Sequence, residues 1–278
     1  MGDKGDKNYT AGDVGAYYDQ LAAEGVRLFG QSIHHGMWEA DSDSFTMAQD
    51  RLTDMVGEKL NLRPGWRLLD VGCGNGRPAI RLATGADCKV TGVTVSRREV
   101  ELATRSAAKI STAAELDADF MFADASCLPF AGSVFDAALA IESVIHFPDK
   151  IEPLREVYRV LRPGGLFVVA DITRIEHIPA SVEKEASDPA LPIDIPETAE
   201  GLCTAIEGAG FSVLEVVDLS DKVRRSYDEF LAPLSRPEAE GIDPELVERM
   251  RKGIPKYVAL ARQYFGYGII VARKPEGN

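Results

Sequence analysis

The stretch RLLDVGCGNGRPAIRLA, Arg67 to Ala83, runs an apolar strand into three glycines and then into an amphipathic helix. Glycines at such a turn let the backbone approach a ligand closely, beside free N–H groups at the start of the helix. The turn therefore predicts a nucleotide-type ligand. Its spacing is Gly72, Gly74 and Gly76, and Arg77 stands where a dinucleotide-binding loop would carry its third glycine.

A carboxylate, Asp70, lies directly before this turn. A phosphate held by the glycines would leave that carboxylate unexplained, whereas a cation or amine on the ligand would account for it. The second strand ends at Thr94 and Ser96, where a dinucleotide-binding fold would place an acidic residue. A nicotinamide dehydrogenase is therefore disfavoured.

Short apolar runs alternate with amphipathic segments from Trp66 onward, which is typical of parallel strands joined by crossover helices. This alternation predicts a doubly wound, Rossmann-like α/β fold. The predicted strands are 67–71, 89–95, 119–122, 135–141, 166–171, 212–219 and 267–272, and the predicted helices are 77–84, 97–110, 151–161 and 199–209.

An apolar stripe recurs every four residues late in the chain, at Leu246, Met250, Ile254 and Val258, in a helix that Pro255 is expected to kink. The stripe is explained either by ordinary core packing or by a cap whose inner face touches substrate. A segment with several Pro, Glu and Asp residues, 178–196, is expected to be a mobile excursion over the sheet.

Charge and composition exclude several classes of partner. The chain has 44 acidic and 31 basic residues, a net charge of −13 that would repel phosphate backbones and anionic membrane surfaces. Nucleic acid and membranes are therefore not expected as partners. The four cysteines have no CxxC spacing, no apolar run approaches the ~18 residues of a membrane span, and no leader is recognised. We expect a cytoplasmic protein without a metal site; a homodimer is left open.

The motif LLDVGCGNGRPA resembles the first motif of class I S-adenosylmethionine-dependent methyltransferases, and four further motifs follow in the same order. They are GVTVS, FADASCLPF, ESVIHFPD and VLRPGG. Across roughly residues 17–274 the chain most resembles the small-molecule branch that contains the rebeccamycin sugar O-methyltransferase and related actinomycete natural-product enzymes. The resemblance implies S-adenosylmethionine as cofactor, S-adenosylhomocysteine as product, and an antiparallel last strand.

The resemblance also implies a division of the chain. Residues 1–60 would form an N-terminal helical lid and 61–175 the cofactor-binding core. A loop, helix and strand at 176–220 would complete the core, 221–264 would be an inserted helical lid, and 265–278 would hold the last strand and tail.

A cofactor site follows residue by residue from the resemblance. Asp70 would orient the glycine turn and the amino group of the cofactor. Thr94 stands where most members of the superfamily place an acidic residue that grips both ribose hydroxyls. The branch resembled here uses a Gln in an SRxQ pattern, and this chain reads Ser96-Arg97-Arg98-Glu99. We expect Glu99 to take the ribose, because a carboxylate accepts from two hydroxyls; the alternative is a solvated helix charge.

The remaining cofactor contacts come from the third motif and the N-terminal lid. Asp124 matches the residue that meets the adenine amino group, and Ala125 would add its backbone N–H. Tyr18 and His34 match the Tyr of YD and the His of HFGYW, and Tyr18 would close over the cofactor. The predicted cofactor-binding residues are Tyr18, His34, Asp70, Gly72, Cys73, Gly74, Thr94, Ser96, Glu99, Asp124, Ala125 and Glu142, although Glu142 is also placed to cap the following helix or to hydrogen-bond the acceptor.

Two side chains are predicted to be catalytic, His146 and Asp171. An alcohol acceptor is protonated at neutral pH and profits from a base, and the unperturbed pKa of histidine, about 6.5, suits that task. Relatives carry two adjacent histidines here, but this chain has Ile145 in place of the first. His146 is alternatively a packing residue, and Asp171 either binds the acceptor or takes a proton. His35, Trp38 and Ile145 are the predicted substrate-binding residues. The alternative is that these are packing or surface positions.

Three functions stay open at this point. The first is O-methylation of a small-molecule natural product or its sugar. The second is N-methylation of an amine on a similar scaffold, since one histidine of the relatives' pair is missing. The third is a non-methylating protein that retains the cofactor while its lid pocket promotes a cyclisation or only binds ligand.

Overall fold

The computed structural model describes residues 9–29, 32–111, 116–175, 178–179, 196–235 and 242–277. Most of the predicted excursion at 178–196 lies outside these residues, as does His177. In the described part of the chain, no helix combines the length and apolar character that a membrane crossing requires.

A seven-stranded sheet forms the centre of the molecule. The strands are β1 (Arg67–Val71), β2 (Lys89–Thr94), β3 (Ala118–Phe122), β4 (Phe135–Ile141), β5 (Leu161–Arg174), β6 (Ser212–Asp218) and β7 (Phe265–Arg273). They lie in the order β3-β2-β1-β4-β5-β7-β6; the first five strands of this order pair in parallel, and β7 is antiparallel to both of its neighbours. The predicted Rossmann-like α/β fold with an antiparallel last strand is confirmed.

Helices cover both faces of this sheet, as expected where parallel strands are joined by crossovers. The helices are α1 (Ala11–Phe29), α2 (Phe45–Leu60), α3 (Arg77–Ala86), α4 (Arg97–Ser111), α5 (Ile151–Val160), α6 (Ala199–Gly208), α7 (Ser220–Val223), α8 (Ser226–Leu231) and α9 (Pro244–Tyr264), with 3₁₀ turns at Val144–His146 and Ala232–Ser235. Buried side chains on the two faces form two apolar clusters, one of which includes Leu68 and Leu139 and the other Leu69 and Phe167.

Strand β5 begins five residues earlier than the predicted start at 166. Leu161 pairs with Phe135, and the register then shifts so that Leu166 pairs with Ala137. The residues between them form the predicted turn, in which Gly164 takes a φ of +78°. The turn interrupts the pairing of one strand rather than separating a helix from a strand.

The apolar stripe of α9 packs inside the protein. Leu246 and Met250 are buried with Leu21 of α1, and Val258 joins the cluster on the sheet. The helix continues through Pro255. None of the four stripe residues is among the described residues that line the cavity at the sheet edge, so the arrangement matches the core-packing alternative.

Candidate functional site

A cavity of about 470 Å³ lies at the carboxyl ends of the parallel strands, where open α/β sheets bind ligands. Its floor comes from the turns after β1, β2, β3 and β4, and helix α1 covers it from above. Eleven of the twelve predicted cofactor residues line it: Tyr18, His34, Asp70, Gly72, Cys73, Gly74, Thr94, Glu99, Asp124, Ala125 and Glu142. His146 lines it as well.

The glycine turn after β1 leaves no room for a side chain at its first position. Gly72 has a φ of +77°, and a Cβ added there would lie 2.3 Å from the Cβ of Ser143. The N–H groups of Gly72 and Cys73 both donate to the carbonyl of Val93, at 2.8 and 3.0 Å. The turn is thus fixed to the end of β2, and its bare backbone forms one wall of the cavity.

Asp70 carries a buried carboxylate oxygen without a partner. The residue is 2% exposed, and its Oδ2 has no hydrogen-bond donor among the described residues. Burial raises the pKa of the Asp70 carboxyl to about 7. Because an unpaired carboxylate is costly at such a depth, a cationic group on the ligand would complete the site. The ammonium of S-adenosylmethionine fits this requirement.

Glu99, in the first turn of α4, is buried with its carboxylate against the glycine turn. Its Oε2 accepts from the Thr94 hydroxyl at 2.6 Å, and a Cβ added at Gly74 would lie 3.8 Å from its Oε1. Burial raises the pKa of Glu99 to about 7, although the Thr94 hydrogen bond opposes the shift. Glu99 is therefore a carboxylate on the cavity wall and not a solvated charge on the helix surface.

The turn after β3 presents Asp124 and Ala125 to the same cavity. The Oδ1 of Asp124 accepts from both the N–H and the hydroxyl of Ser126, at 2.8 Å each. These bonds hold the half-buried Asp124 carboxylate in place at the cavity wall. The cavity thus presents three carboxylates, those of Asp70, Glu99 and Asp124, and a carboxylate can accept hydrogen bonds from the ammonium, the ribose hydroxyls or the adenine amino group of S-adenosylmethionine.

Helix α1 and the turn after β4 meet at the wall of the cavity. Tyr18 Oη lies 2.8 Å from His146 Nε2, and the two rings pack edge to face with centroids 5.3 Å apart. Burial raises the pKa of the Tyr18 phenol well above its usual value, so the phenol keeps its proton and can donate to Nε2 when the imidazole proton is on Nδ1. The contact fixes the His146 ring at the cavity wall.

A polar network behind this contact ties residues 34–35 to the sheet. Glu142 has a φ of +48°, and its Oε1 accepts from the His35 N–H at 2.7 Å, from His35 Nδ1 at 3.0 Å and from the Tyr267 hydroxyl at 3.0 Å. Burial by itself raises the pKa of Glu142, but His35 outweighs it and holds that pKa below its ordinary value. Glu142 therefore does not cap the following turn.

His34 adds a second imidazole to the cavity wall. Its Nδ1 donates to the His35 carbonyl at 2.7 Å, and its Nε2 is buried without a partner among the described residues. Burial lowers the pKa of His34, so the ring is neutral with a lone pair on Nε2. This nitrogen can accept a hydrogen bond from a ligand.

Five predicted site residues lie behind the cavity wall, outside its described lining. Ser96 caps α4, because its hydroxyl accepts from the Glu99 N–H at 3.0 Å. Asp171 is 1% exposed, and its two oxygens accept from the N–H groups of Ile145 and Ile172 at 3.0 and 2.8 Å. Burial raises the pKa of Asp171 to about 7.

The three predicted substrate-binding residues are buried for separate reasons. His35 packs among Tyr227, Phe230 and Tyr267. The Trp38 indole donates to Ser226 Oγ at 3.0 Å. Ile145 is an apolar core residue. An apolar or aromatic side chain near a site motif does not reveal from sequence whether it faces the ligand or the core.

Sequence reasoning missed several wall residues, among them Ser143 and Phe147 in the fourth motif and Val14 in α1. In ESVIHFPD, Ser143 follows Glu142 and Phe147 follows His146, and this position beside predicted site residues is the signal that could have found them. Among the described residues there is no group of three or more side chains that could hold a metal ion.

Comparison with known proteins agrees with this geometry. Residues 69–169 match the model of a methyltransferase domain. The chain is 32% identical to 27-O-demethylrifamycin SV methyltransferase of Amycolatopsis mediterranei, over 96% of this chain and 98% of that protein. It is 34% identical to the methyltransferase GfsG of Streptomyces halstedii, over 95% and 94%.

Among solved structures, the [4+2]-cyclase SpnF superposes with a TM-score of 0.83 at 33% identity, covering 96% of this chain and 97% of that one. Identity at this level over nearly the full length shows common descent. The chain belongs to the S-adenosylmethionine-dependent methyltransferases of natural-product biosynthesis, with S-adenosylmethionine as its cofactor.

Proposed function

We propose that this protein transfers the methyl group of S-adenosylmethionine to a hydroxyl of a small-molecule natural product. The observation that carries the proposal is the His146 imidazole, presented to the cavity by its contact with Tyr18. The name of the rifamycin relative specifies an O-methyl product, and an O-methyltransferase of Aspergillus sclerotiorum is 36% identical over 77% of this chain. A cytoplasmic location and the oligomeric state stay predictions.

Cofactor binding follows from the wall residues. When bound, S-adenosylmethionine supplies an electrophilic methyl group on a sulfonium. Asp70 Oδ2 accepts from the ammonium, Glu99 from the ribose hydroxyls and Asp124 from the adenine amino group. Helix α1 covers the cavity and excludes water. A single in-line displacement depends on this exclusion more than on a covalent intermediate with the protein.

His146 is the proposed proton acceptor. Its Nε2 lies 2.8 Å from the Tyr18 hydroxyl, and the acceptor hydroxyl would displace Tyr18 from this nitrogen, which has a single lone pair. Nε2 would take the proton of the acceptor hydroxyl while the oxygen forms its bond to the methyl carbon and the C–S bond of the sulfonium breaks, which would leave an imidazolium and S-adenosylhomocysteine. Tyr18 stays protonated, because burial raises its pKa, and its ring packs edge to face on the imidazole.

Asp171 and the predicted substrate residues have supporting roles in this proposal. Asp171 binds the N–H of Ile145 and so fixes the 3₁₀ turn that carries His146. We therefore assign it as a positioning residue. His35, Trp38 and Ile145 would shape the acceptor side from behind, with His34 Nε2 as the group that faces ligand.

A second candidate function is favoured by one observation, the 33% identity to a [4+2]-cyclase over nearly the whole chain. In that case the cofactor site would be kept while the cavity promotes a cyclisation. N-methylation of an amine is the remaining alternative, since alignment alone suffices for an amine that arrives neutral.

Incubation of the protein with S-adenosylmethionine and a panel of hydroxylated, glycosylated and amine-bearing polyketides separates methyl transfer from cyclisation. We expect S-adenosylhomocysteine to form only when an acceptor is present. The product should be about 14 Da heavier than the acceptor, because a methyl group replaces a hydrogen atom. A product of unchanged mass formed without S-adenosylhomocysteine would replace methyl transfer by the cyclase function.

The ribose assignment makes a prediction at Glu99. Glu99→Ala is expected to weaken S-adenosylhomocysteine binding about 10- to 100-fold, because charge-assisted hydrogen bonds contribute ~1.5–3 kcal/mol. Glu99→Gln is the matched control, since the amide keeps one acceptor oxygen, and its affinity is expected to stay within about fivefold of wild type. Isothermal titration calorimetry measures both, and unchanged affinity of Glu99→Ala would remove the assignment.

A further inference from the structure

We infer that Asp19, on the lid helix α1, is a positioning residue for the cofactor: it joins α1 to the start of α4 and so holds Glu99 where the ribose binds. The inference deepens the proposed site and rests on the proposed role of Glu99. Asp19 is exposed and is not among the described residues that line the cavity, so it would act through other residues.

The first step is the contact between the two helices. Asp19 Oδ1 accepts from the Ser96 hydroxyl at 2.7 Å and from the Arg98 N–H at 3.0 Å. Ser96 is fully buried, and its hydroxyl oxygen accepts in turn from the Glu99 N–H at 3.0 Å. One carboxylate oxygen of the lid thus completes the N-terminal cap of the helix that carries Glu99.

The second step runs from the cap to the Glu99 carboxylate. The Ser96 N–H donates to Thr94 Oγ1 at 3.1 Å, and the Thr94 hydroxyl donates to Glu99 Oε2 at 2.6 Å. Glu99 is therefore fixed at its backbone by Ser96 and at its side chain by Thr94. Both of these partners depend on the turn that Asp19 holds.

The third step is the close fit of α1 on the same turn. A Cβ added at Gly15, one helical turn before Asp19, would lie 2.3 Å from the carbonyl oxygen of Val95. The neighbouring residue Tyr18 makes the contact with His146 inside the cavity. In the same position, helix α1 packs on the ribose-binding turn and forms part of the cavity wall. The packing of α1 and the ordering of Glu99 are therefore coupled.

The test uses two ligands, S-adenosylhomocysteine and its analogue that lacks both ribose hydroxyls, titrated by calorimetry into four proteins. Asp19→Ala is expected to bind S-adenosylhomocysteine about 5- to 20-fold more weakly, as the loss of one or two hydrogen bonds implies. Its affinity for the analogue is expected to equal that of wild type. A merely structural cap would weaken both ligands equally, and that result would overturn the inference.

Two control variants accompany Asp19→Ala. Asp19→Asn should bind like wild type, because both contacts use the single oxygen Oδ1, which the amide retains. Asp218→Ala removes a comparable cap, the bond from the Ser220 N–H at 2.8 Å. It should lower Tm without changing either affinity. Weak binding by Asp19→Asn would count against the proposed contact.

A double-mutant cycle with Glu99→Ala separates failure of the inference from failure of the site assignment. If Asp19 acts through Glu99, adding Asp19→Ala to Glu99→Ala should change affinity less than twofold. Full additivity of the two losses would overturn the inference alone. Unchanged affinity of Glu99→Ala would instead overturn the ribose assignment and the inference with it, whatever the acceptor of methyl transfer is.

Discussion

His146→Ala is expected to lower kcat for a hydroxyl acceptor about 10²- to 10⁴-fold, the usual contribution of a positioned general base. The reason is the His146 imidazole, which lines the cavity and is the proposed proton acceptor. Affinity for S-adenosylhomocysteine should change less than about threefold, since the carboxylates that hold the cofactor are untouched. Single-turnover rates and calorimetry on the same preparation measure the two effects.

Tyr18→Phe is the matched control for this prediction. It removes the hydroxyl at 2.8 Å but keeps an aromatic ring against the imidazole. The loss of one orienting hydrogen bond should lower kcat about tenfold. If His146→Ala turned over at nearly the wild-type rate, His146 would be a packing residue and the base-assisted mechanism would be wrong.

Asp70→Asn is expected to weaken cofactor binding about 100-fold or more, because the buried Oδ2 has no hydrogen-bond partner among the described residues and is the proposed acceptor for the ammonium. The ligand-free variant should nevertheless be at least as stable as wild type at pH 8, since an amide avoids the cost of a buried unpaired charge. Calorimetry with S-adenosylhomocysteine and thermal unfolding of the ligand-free proteins test the two halves. A variant that is less stable and binds normally would show that Asp70 serves the turn rather than the ammonium.

The pH dependence at Asp70 has a definite sign. Its pKa is about 7 in the folded protein against an ordinary value of 3.8. Between these values the folded state binds the extra proton, so this group lowers the free energy of unfolding as pH rises from about 4 to about 7. When the ligand is bound, its ammonium group offsets the unfavourable burial of the ionised Asp70 carboxylate. The Tm increase caused by S-adenosylhomocysteine should therefore grow with pH across this window, and grow less in Asp70→Asn.

Local patterns were sufficient for the order of the strands, and eleven of the twelve residues predicted to bind the cofactor line one cavity. Strand 67–71 and the glycine turn were predictable because apolar runs, glycines and a carboxylate follow one another within ten residues or so. Strand β5 was predicted too short, since the pairing of Leu161 with Phe135 on the far side of a turn leaves no periodic signal.

Long-range contacts set the limit on the acceptor side. Tyr18 and His146 are 128 residues apart in sequence, and their hydrogen bond follows only from the docking of α1. The Tyr267 hydroxyl reaches Glu142 across 125 residues in the same way. Trp38 faces Ser226 instead of the cavity because α8 packs against it, which no short motif encodes.

The most direct test of the central claim is the position of the transferred methyl group. The protein is incubated with S-adenosylmethionine labelled with ¹³C in the methyl group and with an acceptor that carries both a hydroxyl and an amine, and the product is examined by ¹³C NMR and fragmentation. We expect a labelled carbon bonded to oxygen, formed much more slowly by His146→Ala. A labelled carbon bonded to nitrogen, formed at the same rate by that variant, would contradict it.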